Sequence, residues 1–347
     1  MGKDSIEEIG IANVQRSFNW SSRLLKCMGV WPLKNYVPLF IFFFIYLSIH
    51  CSLTLLQLIL SPKTMDNVIS NMAENILLMM TLTKITVARV NRKALSKLLA
   101  EIKDCSLNEK YETKEEKLTF LNYTKLPPYF IIIIASSMTM VEILYYSTRL
   151  TYGIQSAKKN DSMGYQLPYR TLHIADLSDT RIYALICAYQ TIIIPSILFG
   201  YVGFDCMFVN LSVQVIAQFA VLSYKVKALL NNSENYYEGM KEIVRRHYQL
   251  IRLTEALENN FNYLILQQLM GTTVHICICG YHLLMTKEMA DNITLILFFL
   301  YVSCVLSTLF IYCFIGECFI QEVNKTLIIC CMNGILITRL ISFILFH

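Results

Sequence analysis

The chain has 347 residues, 55% of them hydrophobic against 16% charged, with a mean hydropathy of +0.47 and a net charge of +5. That balance leaves too little polar surface to keep a fold of this size in water, so a soluble globular domain is excluded and a polytopic membrane protein is indicated. The charge is modest, no nucleic-acid partner is expected from it, and where the basic residues fall matters more than their sum.

Residues 1–36 carry Asp4, Glu7 and Glu8 and reach no apolar run, so no cleavable signal peptide is expected. The start MGKDSI also lacks the hydroxyl residue that myristoylation requires at position 6. Asn19–Pro32 (NWSSRLLKCMGVWP) is a short amphipathic segment with Trp20 and Trp31 near its ends, and reads as an interfacial helix on the cytoplasmic face. The first span, 37–60, has no Asp, Glu, Lys or Arg. At about 1.5 Å per residue it is ample for a hydrocarbon core of about 30 Å. The second span, 68–87, carries Glu74 and Lys84. Residues 89–125 hold nine Lys or Arg, and LSKLLAEI has helical periodicity, which predicts a cytoplasmic helical hairpin or loop. The third span, 126–146, opens on Pro127-Pro128 and has Glu142 near its far end.

A wide loop leads into the fourth span through LPYRTLHIADLSDTRIYALICAYQ, from Leu167 to Gln190. Its Tyr169, His173, Asp176, Asp179 and Tyr183 are placed to cap a cavity above the span. The fourth span is expected at 183–204, yet from Ile182 to Tyr224 the only charged residue is Asp205. One helix of that length would reach about 65 Å, twice a bilayer, so its second half is expected inside a cytoplasmic protein bundle. The basic segment 225–259 follows, then a fifth span at 261–284 and a sixth at 292–316. Residues 323–347 form a hydrophobic tail, interrupted by Arg339, that is a candidate seventh span.

With the amino terminus in the cytoplasm, segments 1–36, 89–126 and 225–259 hold 20 basic residues, while the external segments 61–66, 152–182 and 286–291 hold six. That asymmetry orients the chain. It also makes Asn160, in the external sequon NDS, the expected glycan acceptor. The predicted class is therefore all-α: a polytopic helical bundle with six clear spans and a possible seventh. A membrane domain of residues 37–322 lies between a cytoplasmic segment, 1–36, and the tail, 323–347.

His275 and His282 share a helical face with Cys277 and Cys279 between them, but CxC sends its sulfurs to different sides of a helix, which favours packing over metal binding. No phosphate-loop, zinc-protease or nucleophile-elbow motif is present, so neither catalysis nor a cofactor is expected. Intramembrane ionisable residues carry function by default. For Lys84 and Glu142 snorkelling toward a span end is the favoured alternative, and for Glu74 the two readings balance. Tyr145 and Tyr146 on the third span, with Tyr183, Tyr189 and Gln190 on the fourth, are suited to wall a pocket for a small apolar ligand, and Met72 and Phe298 are weaker candidates on the second and sixth. An aromatic belt accounts for tyrosines at this depth equally well. Pro195, Gly200 and Gly203 fit a kinked helix or close packing.

The segments NWSSRLLKCMGVWP, LLAEIKDC, LPY, DLSD, FNYLILQQLMGTTVHICICGY and IYCFIGECFIQE, in that order and with Tyr183 and Gln190 following DLSD, resemble the insect odorant receptor family over residues 15 to 322. The resemblance implies a seven-span subunit that assembles with a shared co-receptor into a tetrameric, ligand-gated, non-selective cation channel in the membrane of olfactory sensory neurons. It implies a volatile odorant held in an outer-half pocket among the second, third, fourth and sixth spans. After Gln321-Glu322 the text turns to VNKTLIICCMNGIL and lacks the family's pore-helix pattern, so conduction and co-receptor assembly are expected to be altered. A gustatory-type receptor is the nearest alternative, and LPY with DLSD favours smell. A G-protein-coupled receptor would need an external amino terminus. A transporter would show two related halves, and none is visible.

Overall fold

The computed structural model describes residues 3–60, 65–109, 111–158, 165–172, 177, 179–231, 236–285 and 292–332. These form helices α1 (Lys3–Cys27), α2 (Val37–Leu60), α3 (Met65–Val90), α4 (Arg92–Asn108), α5 (Lys114–Thr124), α6 (Leu126–Lys158), α7 (Thr180–Thr191), α8 (Ile193–Ser196), a π-helical turn (Ile197–Val202), α9 (Gly203–Asn231), α10 (Tyr236–Met285) and α11 (Asn292–Met332), with no strand among the described residues.

Five stretches are long and apolar enough to cross a membrane: Val37–Leu60, Lys114–Lys158, Thr180–Leu229, Tyr236–Tyr281 and Leu295–Thr326. The predicted second span, α3, is not among them, because Asp66, Glu74, Lys84 and Arg89 lie along its 26 residues. It is nevertheless packed against α2, α10 and the π-helical turn, so protein rather than lipid receives its polar face. Elsewhere the apolar side chains of α2, α6, α10 and α11 point outward, as Phe42, Ile133, Met270 and Phe310 do. In a membrane protein that surface belongs to lipid.

The hub is α9. Every residue from Gly203 to Ser223 is buried, surrounded by α1, α4, α5, α6, α10 and α11, so protein covers a stretch whose one charge is Asp205. Phe204 and Phe208 pack on Phe261 with ring centroids 5.4 and 5.1 Å apart, and Ser17 donates to Asn210 Oδ1 at 2.8 Å, pinning α1 to the hub. The segment read as an interfacial helix is the last part of a longer α1, which Gly29 closes at φ 70° with Val30 N–H bonded to the Leu25 carbonyl. Trp31 is buried in the core rather than set at an interface, while Trp20 lies under the Arg16 guanidinium at 4.3 Å.

The charged segment between the second and third spans is a helical hairpin. Thr113 caps α5 by accepting from Glu116 N–H and donating to Glu116 Oε1 at 2.9 Å, while Glu116 Oε2 accepts from the Glu112 N–H at 3.0 Å. Glu109 holds both Lys225 and Arg246, so α4, α9 and α10 are tied together at this basic end. The fourth span breaks where the sequence predicts weakness. Pro195 cannot donate a backbone N–H and crowds the carbonyl four residues back, and the chain passes from α7 through a turn at Ile192 into the π-helical turn. A Cβ at Gly200 would meet Thr81 Cγ2 at 2.9 Å, so close packing holds as well.

Two predicted boundaries move. α6 runs on to Lys158, well past residue 146, since no breaker intervenes. α11 continues unbroken to Met332, so residues 323–332 prolong the helix of the sixth span, and 333–347 lie outside the described residues.

Candidate functional site

At the end opposite the basic one, the loop after α6 folds back between helices, and Tyr169 sits at the centre of what it meets. Tyr169 N–H donates to Gln190 Oε1 at 3.1 Å, and Gln190 Nε2 returns a bond to the Tyr169 carbonyl at 2.9 Å and to Thr171 Oγ1 at 3.0 Å. One buried amide on α7 therefore clasps the loop on both edges. The Tyr169 hydroxyl donates to Glu142 Oε2 at 3.2 Å, and the loop's Arg170 N–H donates to Glu74 Oε2 at 2.9 Å. Burial, and then the Glu142 carboxylate, hold the Tyr169 phenol well above its ordinary range, so it remains a donor. Gly153 makes the return possible, because a Cβ there would run into the Gln166 carbonyl.

Four of the predicted pocket residues converge here. Tyr145 and Tyr146 rings lie 5.8 and 5.9 Å from Tyr169, and their hydroxyls donate to Glu74 Oε1 and the Cys187 carbonyl, both at 2.7 Å. Gln190 is the clasp. Tyr189 faces Tyr46 and His50 of α2, with ring centroids 5.0 and 5.8 Å away. Tyr183 lies farther along α7, stacked on Tyr165 at 4.6 Å and bonded to the Gln166 carbonyl. Met72 is 39% exposed on α3, and Phe298 is half-buried on α11 beside Phe299. Asn160, His173 and Asp176 lie outside the described residues.

Sequence reasoning overlooked His50, which stands alone in an uncharged run and has no partner close in sequence. Its ring is completely buried, edge-on to Tyr169 at 6.3 Å, and neither nitrogen has a hydrogen-bond partner. The Tyr189 hydroxyl is likewise buried and unpartnered. The box thus combines four aromatic rings with carboxylates already committed to the scaffold and two polar groups that are not.

A second polar cluster lies deeper, beside the π-helical turn. Lys84 Nζ pairs with Asp205 Oδ1 at 2.5 Å, donates to Gln268 Oε1 at 2.7 Å, and sits over the Tyr201 ring at 3.6 Å. Tyr312 donates to Asp205 Oδ1 at 2.7 Å, and Gln268 Nε2 to the Tyr201 hydroxyl at 2.5 Å. Lys84 is 1% exposed, so it does not snorkel: Asp205 supplies inside the bundle what a span end would have supplied in water. His275 bonds Tyr301 at 2.9 Å, and no metal-binding group of three His, Cys, Asp or Glu occurs among the described residues.

Two solved structures share the fold. The insect olfactory receptor OR5 from Machilis hrabei aligns with a TM-score of 0.71 at 14% identity over 92% of this chain and 83% of that one. The same receptor in complex with eugenol aligns at 0.66, again 14% identical, over 90% and 78%. Odorant receptor 13a of Drosophila melanogaster is 27% identical over 151 residues, 42% of this chain, and the match spans 34%, about a third, of that receptor's length. The family model described as 7tm Odorant receptor matches residues 64–325, well over half of the chain. On that match, this helical membrane protein belongs to the 7tm odorant receptor family.

Proposed function

We propose that this chain is an olfactory receptor that binds small volatile odorants in the box around Tyr169 and tunes a heteromeric cation channel built with the shared odorant receptor co-receptor. Its basic end faces the cytoplasm of an olfactory sensory neuron, and the loop-bearing end, with a glycan on Asn160, faces outside. The observation that carries this reading is the convergence of Tyr145, Tyr146, Tyr169 and Tyr189 under a clasped loop, an aromatic cluster with a few polar groups suited to fix a ligand's orientation. The complex of the Machilis receptor with eugenol supports a ligand of that size in this fold. A ligand opens such a channel only by binding the open state more tightly, and the rearrangement is placed at the interrupted fourth span.

The test is co-expression of this chain with the co-receptor in oocytes and a screen of a broad panel of volatile alcohols, esters, aldehydes and phenols. A response to at least one volatile, read as current where the channel conducts and as a shift in thermal unfolding of the purified chain where it does not, is the expected result, since conduction is expected to be altered. A chain that reaches the surface and responds to none of the panel by either readout would reject it. Glycan mapping checks the orientation: Asn160 modified and Asn122 bare.

A further inference from the structure

The carboxylates and amides of the box are committed to holding the loop. Glu74 accepts from Tyr145 and Arg170, Glu142 from Tyr169, and Gln190 is bonded on both sides of its amide. None of these has to be left for a ligand. His50 and Tyr189 differ from all of them. His50 is 0% exposed with both ring nitrogens unpaired, and the Tyr189 hydroxyl is buried and unpaired, although its own backbone carbonyl accepts from Tyr46 at 2.9 Å. Their ring centroids are 5.8 Å apart, and Tyr46 and Tyr169 flank the same imidazole at 6.2 and 6.3 Å.

Buried polar groups in proteins are nearly always satisfied, and an unpaired one carries a full desolvation penalty. Two such groups on rings 5.8 Å apart, with Tyr46 and Tyr169 beside them, point to a ligand that satisfies both. A neutral imidazole offers one N–H and one lone pair. The lone pair can be satisfied only by a donor, so an ether, ketone or hydrocarbon leaves it unpaired, whereas a hydroxyl oxygen can donate to His50 and accept from Tyr189.

We propose that His50 and Tyr189 form a hydrogen-bonding subsite on the α2 side of the box that selects hydroxyl-bearing ligands, alcohols and phenols, over their ethers and hydrocarbons of equal size. This rests on the odorant-binding reading above and adds to it a ligand class and a wall from the first span.

The test uses the full chain with the co-receptor and three matched series: straight-chain alkanols, their methyl ethers and the corresponding alkanes. For the wild type, the best alkanol is expected to be at least about tenfold more potent than its ether, the factor that one unsatisfied buried group produces. His50→Phe, which keeps an aromatic ring, should shrink that ratio below about threefold while the response to the ether survives, and Tyr189→Phe should shrink it in part. His50→Gln, whose amide offers both N–H donors and a carbonyl acceptor, should restore it. Equal potency of alkanol and ether in the wild type, or a ratio unchanged in His50→Phe, overturns the subsite and leaves the receptor function standing. If the channel is silent, thermal unfolding of the purified chain with each probe decides. A larger rise in Tm with the alkanol than with the ether, lost in His50→Phe, supports the subsite while the gating role fails, and no difference rejects both.

Discussion

The two buried polar clusters use much the same side chains and end in opposite states. Around Asp205, the ammonium of Lys84, the Gln268 amide and the Tyr201 and Tyr312 hydroxyls bond one another, and the cluster joins α3, α9, α10, α11 and the π-helical turn. Around Tyr169 the scaffold bonds are equally dense, yet His50 and the Tyr189 hydroxyl stand unpaired inside them. A buried charge with all its partners present specifies one arrangement of helices, because every alternative leaves an ion uncompensated. A cluster with open valences suits the guest proposed for it. The difference separates what holds the bundle from what the bundle holds.

The comparison breaks most sharply at Asp205. Asp205→Ala leaves Lys84, 1% exposed, without its counter-ion, and is expected to destabilise the fold by about 3–5 kcal/mol. Surface expression should collapse and the thermal unfolding midpoint of the solubilised protein should fall. Lys84→Met combined with Asp205→Leu removes both charges and should recover most of the loss. If the double variant is as unstable as the single one, the pair is not the source of the stability.

The clasp comes next. Gln190→Leu deletes three hydrogen bonds and strands the buried N–H and carbonyl of Tyr169, for a loss of about 3 kcal/mol. Because the bonds hold a loop rather than a helix, limited proteolysis should show faster cutting around residues 165–172 before global unfolding. Uniform loss of the fold would place the clasp with the Asp205 cluster instead.

Much of this architecture was legible in the sequence. Uncharged runs marked the long apolar helices, the basic segments marked one end, and the forty-three-residue run without charge except Asp205 foretold a helix buried in protein. Pro195 announced the break in the fourth span. Pairings were not legible, because Lys84 finds Asp205 across 121 residues and Tyr169 finds Glu142 only after the loop folds back. Lys84 looked like a snorkelling residue because its hydropathy neighbours say nothing of a partner on another helix. Tyr145, Tyr146, Tyr189 and Gln190, which the structure brings together, stood out because aromatic and amide side chains near one end of two spans are a local pattern. A single histidine in the apolar first span is not.

His247 shows that an unpaired nitrogen alone does not make a site. Its Nδ1 is buried without a partner, but the ring packs edge-on against Phe219 at 5.9 Å in the basic end and faces no aromatic enclosure. Burial lowers its pKa from the ordinary 6.5, so the folded protein binds the proton less readily than the unfolded chain does. Its stability is complete above that value and declines as pH falls through it toward the lower folded pKa. His247→Phe should abolish this small acid-side loss without altering any odorant response. An unchanged slope of unfolding midpoint against pH would show that the ring is hydrated in the fold.

The smallest expected effect is the most diagnostic. Removing a hydroxyl that has a buried partner costs stability, while removing one that has none relieves a desolvation penalty. Tyr189→Phe should therefore change the stability of the ligand-free protein by less than about 0.5 kcal/mol, or raise it slightly. Tyr46→Phe, whose hydroxyl bonds the Tyr189 carbonyl at 2.9 Å from the neighbouring helix, should lower it by about 1 kcal/mol. The two variants alter the same atom type within one aromatic contact, so a paired measurement of chemical denaturation cancels the change in ring chemistry and leaves only the presence or absence of a partner. If Tyr189→Phe proves the costlier, its hydroxyl is bonded within the empty fold, and the open valence that distinguishes this cluster from the one around Asp205 belongs to His50 alone.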